Sequence, residues 1–432
     1  MTPSSIPSAH GGSDRSSRRL TAALFAGGIA TFAELYAVQA VLPSIAAEWG
    51  LTESTVSLAV SVATGALAIS VLPWAAVADR IGRARAMTIS AIVASSAGIL
   101  VPIAPSFAVL LVLRGISGAA LGAVPALAMA HLVAEATPGR VSAIGGLYIA
   151  GTTIGGLTGR VLTGAVAGVA GWRWGLATTA ALVLAAAVVF VILLPRDRPA
   201  SARSRLPGET ATGAGPASAR SRLPGGPGVP GNRGRIRLAL VDRPVWVFYA
   251  QAFLLMGGFV TVYNLLAFRL LDDPYRLPAS VVSLLFLTYL VGTVGSSGVG
   301  RMVGRFGRRA VLTAAGFGMA CGVALTLATP LWCVLAGLVI ATFCFFVAHA
   351  IAATWAGELV PAARSQASAL YSLAYYAGSS LVGFLGAVIF DRAGWLGAMT
   401  MVILAAVAAA TIAALGAPRL VGPHPARDSS RL

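Results

Sequence analysis

The residues able to do chemistry in this chain are few and lie in unusual company. Of its 14 acidic residues, most fall in polar segments or at the ends of apolar stretches, with Asp79 at the edge of one stretch and Glu358 near the end of another. Glu34 alone stands deep within an apolar run. Every basic residue is arginine, and only Arg114 and Arg160 are placed as Glu34 is; among the histidines, His131 and His349 are. Burial disfavours charge on a carboxylate and a nearby arginine favours it, so a Glu34 that is alternately paired and unpaired could bind and release a proton. A permanent pair between Glu34 and Arg114 or Arg160 is the structural alternative. His131 and His349 are further proton candidates, although a lone histidine in such a setting more often serves as a hydrogen-bonded structural residue.

No other chemistry is spelled out. Cys321, Cys333 and Cys344 lack the spacing of a metal site or a disulfide framework and read as small apolar packing residues. Neither half of the chain gathers a Ser/His/acid or metal-ligand cluster at one depth, which argues against a membrane-embedded hydrolase or transferase, and no cofactor or metal is expected. Tyr36, Gln39, Tyr148, Tyr263, Tyr289, Tyr371 and Tyr375 could line an amphipathic cavity for a small molecule; at helical spacing they could equally be packing.

The elements that must position these residues follow from composition. The chain has 432 residues, 57% hydrophobic and only 10% charged, with a mean hydropathy of +0.84. That excludes an ordinary water-soluble domain, in which about a quarter of residues are charged. A bilayer-spanning helix takes roughly 20 mostly apolar residues. Nine windows carry no Asp, Glu or Arg, from Ser54–Ala78 to Ala393–Pro418; the 48-residue window from Ala310 divides at Pro330, and Leu20–Ala47 with Glu34 and Val141–Val169 with Arg160 complete twelve spans. The expectation is an all-α integral membrane protein whose first span is an uncleaved helix.

Depth then relates the charges. If the first span enters near Leu20, Glu34 lies roughly 21 Å from the inner face, and Arg114 lies roughly 10 Å from the outer face of a ~30 Å core, so the two share a level. Arg160 falls at a similar or somewhat greater height.

The net charge of +17 could suit a nucleic acid, but only if the arginines shared a solvated face, and long arginine-free stretches separate them. Membrane topology explains them better. With the N-terminus inside, 25 arginines fall on the cytoplasmic side and 4 on the outer side, so both termini are expected in the cytoplasm. Residues 1–19 form an N-terminal tail, 20–195 a six-helix bundle, 196–243 an Arg/Pro/Gly-rich cytoplasmic linker, 244–418 a second six-helix bundle and 419–432 a tail. The linker repeats ASARSRLPG at 200–208 and 217–225, which reads as a local duplication.

The bundles also repeat one another. YIAGTTIGGLTGRV from Tyr148 matches YYAGSSLVGFLGAV from Tyr375 at an offset of 227, and Arg80-Ile81-Gly82-Arg83 matches Arg305-Phe306-Gly307-Arg308 at an offset of 225. Two parallel six-helix repeats fit a transporter that rocks around a central site. In the loop after span 2, Asp79 with Arg80, Gly82 and Arg83, and in the second copy Arg305, Gly307 and Arg308, could latch the cytoplasmic face in one state; alternatively these arginines only set topology. Gly151, Gly155, Gly156 and Gly159 present a flat helix face for close packing or gating.

These residues carry a family resemblance. The 6+6 plan, AAVADRIGRAR at 75–85 and LLVLRGISGAALG at 110–122 resemble the major facilitator superfamily. The loop signature maps onto Asp79, Arg80, Gly82 and Arg83, with Ala75 in place of its first glycine. The fourth-span signature maps onto Arg114, Gly118 and Gly122, and the antiporter motif onto Gly151, Gly155, Gly156 and Gly159, with Gly156 at the position of its proline. LYAVQAVLP, GTTIGGLTGR and FFVAHAIAATW further resemble one branch of bacterial inner-membrane proteins within it. The resemblance implies twelve helices in two pseudo-symmetric bundles and proton-coupled export of a small amphipathic molecule from a bacterial plasma membrane; the oligomeric state is not legible in the sequence, and a monomer is the default expectation. A sugar or metabolite uniporter or importer is the alternative.

Overall fold

A computed structural model describes residues 10–136, 140–197, 232–241 and 243–418. Most of the expected linker, with both copies of its repeat, and the tail 419–432 lie outside the described residues. Among the described residues every regular element is helical. Helix α1 runs His10–Tyr36 and continues through a 3-10 turn, Ala37–Val41, into Leu42–Trp49. Then follow α2 (Glu53–Ile81), α3 (Arg83–Leu100), α4 (Phe107–Leu121, resuming as Ala123–Glu135), α5 (Val141–Ala170) and α6 (Trp172–Leu193). The second half holds α7 (Arg243–Leu271), α8 (Ala279–Ser283, a 3-10 turn Leu284–Thr288, then Tyr289–Phe306), α9 (Arg308–Leu325) and α10 (Leu331–Leu359). The stretch Arg364–Gly416 is divided into α11 and α12 by Gly394, whose φ of 60° and ψ of −161° are not helical.

Among the described residues twelve membrane-length helices therefore stand where twelve apolar spans were expected, because in hydrocarbon a backbone that leaves its N–H and C=O groups unpaired is prohibitively costly. Boundaries differ at two places. The first helix begins by His10, ten residues before Leu20, and Asn232–Val241, expected within a solvated linker, is helical. The segment holds no proline, and Arg235, Arg237, Leu238, Ala239 and Leu240 there are good helix formers, so propensity gives a helix despite the polar composition.

The repeat seen in the sequence is repeated in the backbone. Gly82 (φ 92°, ψ 153°) joins α2 to α3, and Gly307 (φ 82°, ψ 150°) joins α8 to α9. A positive φ here lets one helix end and the next begin with only the glycine between them, a conformation a side chain would strain. Large apolar side chains face outward on many of the helices, among them Ile69, Val112, Ile192, Val294, Leu381 and Leu404, each more than half exposed. Such a belt is the surface lipid requires.

Within each half the decisive packing is a glycine crossing. Gly151, Gly155 and Gly159 of α5 lie against the backbones of Phe25, Ile29 and Ala33 of α1. In the second half Gly378 and Gly386 of α11 lie against Phe253 and Thr261 of α7. The two halves meet at one end of the bundle, the end away from both termini. Asn264 accepts from Gln39 (2.5 Å), Ser380 donates to the Ser61 carbonyl (2.7 Å), and Asp391 accepts from the Ser54 amide (3.1 Å). At the opposite end the first half keeps a core of its own, built from Leu20, Leu24, Met87, Leu127, Leu132 and Phe190.

A side chain at Gly155 would place its Cβ 2.5 Å from both Cα and O of Ile29, whereas one at the exposed Gly146 on the same helix meets nothing within 4 Å. Gly155→Leu should therefore lower the melting temperature of the purified protein by several degrees, an overpacking cost of about 1–3 kcal/mol, and Gly146→Ala should leave it unchanged or raise it slightly. Equal melting of the two variants in differential scanning fluorimetry would show that the crossing tolerates separation.

Candidate functional site

The site begins at the interruption in α1. Where the helix passes into the 3-10 turn at Tyr36, the carbonyls of its last turn lose their regular partners. Arg114 of α4 takes them up: its Nη1 donates to the Glu34 carbonyl (2.9 Å), its Nη2 to the Leu35 carbonyl (2.5 Å) and its Nε to the Ala59 carbonyl of α2 (3.0 Å). A cation also suits the negative end of a helix dipole. The carboxylate of Glu34 adds an ion pair, with Oε1 3.6 Å from Arg114 Nη1, and both side chains are buried. Gly98 of α3 leaves the room the carboxylate occupies; a Cβ there would fall 2.6 Å from Glu34 Cδ. Of the two arginine partners the sequence allowed, Glu34 thus meets Arg114, inside the first half and away from the seam.

Arg160 occupies the seam itself. Its Nε donates to Gln39 Oε1 (2.6 Å) and its Nη1 to the Gly156 carbonyl one turn back (2.7 Å). Its guanidinium carbon stands 4.3 Å from the ring centre of Tyr36, 4.8 Å from that of Tyr289 and 5.3 Å from that of Phe286. The last two rings belong to α8, so the second half contributes most of the aromatic wall. Gln39 bridges the halves by donating to Asn264 while accepting from Arg160. Gly156, grouped by sequence with the other α5 glycines, differs from them: a Cβ there would meet Arg160 Nη1 at 3.2 Å and α1 only at the Phe32 side chain, at 3.9 Å, with no close approach to the α1 backbone.

The remaining cavity candidates divide. Tyr263 is committed to packing, its hydroxyl shared with Thr288 (2.6 Å) and Thr342 (2.7 Å). His349, Tyr371 and Tyr375 come together with Gln251 around a small hollow in the second half, His349 Nδ1 lying 2.9 Å from the Tyr371 hydroxyl and its ring 4.8 Å from that of Tyr375. Tyr148 is buried on α5 nearer the termini. His131 lies near neither cluster; its Nδ1 is 3.4 Å from Asp197, four residues beyond the end of α6.

At the loop joints the structure adds a residue the sequence did not single out. Asp79 and Arg80 are exposed, and Asp79 forms no ion pair with a described residue. Arg83 donates to the Ala130 carbonyl of α4 (3.2 Å). The acid that touches the joint is Asp197, which accepts from the Ala84 amide (3.1 Å) at the start of α3, with Gly82 leaving space for it. In the second copy Arg308 is ion-paired to Glu358 and Arg305 lies over Phe306. Asp197 was unreadable because it follows a span by sequence and meets the loop only through the packing of α6 on α3. Phe286, inside a featureless apolar run, carried no signal at all; Ser379 was visible only as a member of the repeated hydroxyl pair.

Comparison with known proteins joins these observations. The sequence pattern of the Major Facilitator Superfamily matches residues 24–297 and 267–431. The chain is 36% identical over 386 residues to the inner membrane transport protein YnfM of Escherichia coli (strain K12), covering 89% of this chain and 87% of that one. It is 34% identical over 389 residues to the uncharacterized MFS-type transporter YybF of Bacillus subtilis (strain 168), covering 89% and 90%. Its fold is similar to that of a D-xylose-proton symporter, with a TM-score of 0.72 at 14% identity over 93% of this chain and 98% of that one. The twelve helices, the doubled glycine joints and relatives matching along most of the chain place it in the Major Facilitator Superfamily, as a multi-pass membrane transporter of small molecules.

Proposed function

We propose that this transporter couples proton entry to the efflux of a small amphipathic molecule by alternating access, acting as a monomer in the bacterial plasma membrane with both termini in the cytoplasm. The observation that carries the proton is the buried Glu34–Arg114 pair, since an intramembrane acid is costly and is retained for a function by default. Arg114 keeps three carbonyl acceptors when Glu34 is neutral, so the carboxylate can gain a proton without stranding its partner. With the termini inside, the seam closes the outer side and the halves part toward the cytoplasm, the side from which a molecule is loaded for export. The enclosure of Glu34 within one half favours a second reading, a static pair in a uniporter of sugars or other metabolites.

The loop residues Asp79, Arg80, Gly82, Arg83, Arg305, Gly307 and Arg308 then form the latch of the alternate state. Asp79 is solvent-facing while the cytoplasmic end is open and gains its partners when that end closes. Asp197 holds the start of α3 in the open state.

Three measurements test these readings. In a cysteine-less background, Asp273→Cys should react with an impermeant maleimide on intact cells, and Arg85→Cys only after permeabilisation; the reverse pattern would invert the topology. In proteoliposomes with an imposed pH difference, Glu34→Gln should lose at least tenfold of its uphill transport while retaining downhill exchange, with melting checked separately because a lone buried arginine is destabilising. A folded Glu34→Gln protein that still concentrates substrate on a pH difference alone would favour the uniporter. Asp79→Asn and Arg83→Ala should slow turnover about tenfold with expression and substrate binding preserved, because the loop biases an equilibrium between states; wild-type turnover in both would leave only a topological role.

A further inference from the structure

Among the described residues two arginines are buried within the bundle, and only one of these has its charge answered by a carboxylate. Arg114 meets a carboxylate and three carbonyls. Arg160 is 2% exposed and has no carboxylate within salt-bridge distance among the described residues. Two of its five N–H groups are engaged, by Gln39 and Gly156, and its Nη2 donates to no described residue. The faces of Tyr36, Tyr289 and Phe286 temper the charge without cancelling it.

The polar groups around it share one character. Asn264 commits its oxygen to Gln39, leaving its buried Nδ2 without an acceptor. The hydroxyls of Tyr36 and Ser379 face one another, neither makes a well-formed hydrogen bond, and even if paired they would keep one hydrogen free. All three residues are more than nine-tenths buried. Buried polar groups are nearly always paired in folded proteins, so a cluster of spare donors around an uncompensated cation is a signal of what it binds. The complement is a group with negative charge and several acceptor oxygens. The walls are aromatic, so the body attached to that group is flat or apolar.

We propose that this cluster is the anion-binding point of the transport path and that the molecule carried is an amphipathic organic anion, an aromatic carboxylate in the simplest case. Its carboxylate lies on Arg160 Nη2, the Asn264 amide and the Tyr36 and Ser379 hydroxyls, and its ring lies against Tyr289 and Phe286. Tyr36 and Arg160 belong to the first half while Asn264, Phe286, Tyr289 and Ser379 belong to the second, so one small anion touches both moving parts. This rests on the exporter reading and deepens it by naming the substrate class.

The test uses the full-length protein in phosphatidylcholine nanodiscs and proteoliposomes, which hold no anionic headgroup to compete. The probes are benzoate, 3-phenylpropionate and 2-naphthoate, their primary amides, and the amines of matched skeleton, compared by binding and by counterflow. The carboxylates should bind at least tenfold tighter than their amides, and they alone should exchange. Arg160→Gln should remove that preference, Arg160→Lys should keep part of it, and Ser379→Ala and Tyr36→Phe, which delete only a hydroxyl, should each weaken carboxylate binding about three- to tenfold and leave the amides unaffected. The hydroxyl variants decide the matter if Arg160→Gln does not fold. Preference for amides or amines, or a carboxylate preference that survives Arg160→Gln, Ser379→Ala and Tyr36→Phe alike, overturns the substrate class while leaving the exporter reading intact. Failure of all three probe sets to bind overturns it too, and the exporter reading then stands or falls on the pH-driven measurement with Glu34→Gln.

Discussion

The break in α1 is the constraint from which the rest of the site follows. Inside a bilayer a helix cannot be interrupted without giving its freed carbonyls another donor, because no water is available to serve them. Arg114 meets that demand at the Glu34 and Leu35 carbonyls, and Glu34 in turn supplies the charge that makes a buried arginine tolerable. The turn so stabilised carries Gln39 out of helical register and into the seam, where it meets Arg160 on one side and Asn264 on the other. Removing the interruption would leave the second arginine without its positioning contact.

The two arginines thus meet one electrostatic penalty in two ways. A charge placed in hydrocarbon is costly wherever it sits. Arg114 is surrounded by acceptors from α1 and α2, all within the same rigid half, and is suited to holding structure. Arg160 is surrounded by rings and donors from both halves, and is suited to sensing what lies between them. The glycine crossings of α5 on α1 and α11 on α7 keep each half stiff enough for that distinction to last through a rocking motion.

How much of this was legible depended on range. Apolar length and arginine placement are local properties, so the twelve spans and the doubled six-helix plan were readable. The spacing of Gly151, Gly155 and Gly159 announced a close crossing, though not that Phe25, Ile29 and Ala33 receive it. Depth arithmetic placed Glu34 beside Arg114 because rise per residue in a helix is fixed, but it left Arg160 as an equal partner, since height says nothing of which face a side chain occupies. The 3-10 turn was marked only by Pro43, which cannot donate to the Gln39 carbonyl and so ends the regular helix before it, whereas Phe286 and the docking of Asp197 on the α3 amide had no sequence signature, for each arises only when distant helices pack.

The seam itself is held by modest forces. Among the described residues, the well-formed hydrogen bonds across it are one amide–amide contact, one hydroxyl to a carbonyl and one carboxylate to a backbone amide. Each contributes on the order of 1 kcal/mol, somewhat more for the charged one. Their sum is of the same size as the roughly 5.5 kcal/mol of differential affinity that carries a two-state equilibrium from one side to the other. The polar fastening is therefore strong enough to hold a resting shape, and weak enough that a single bound molecule can reverse it.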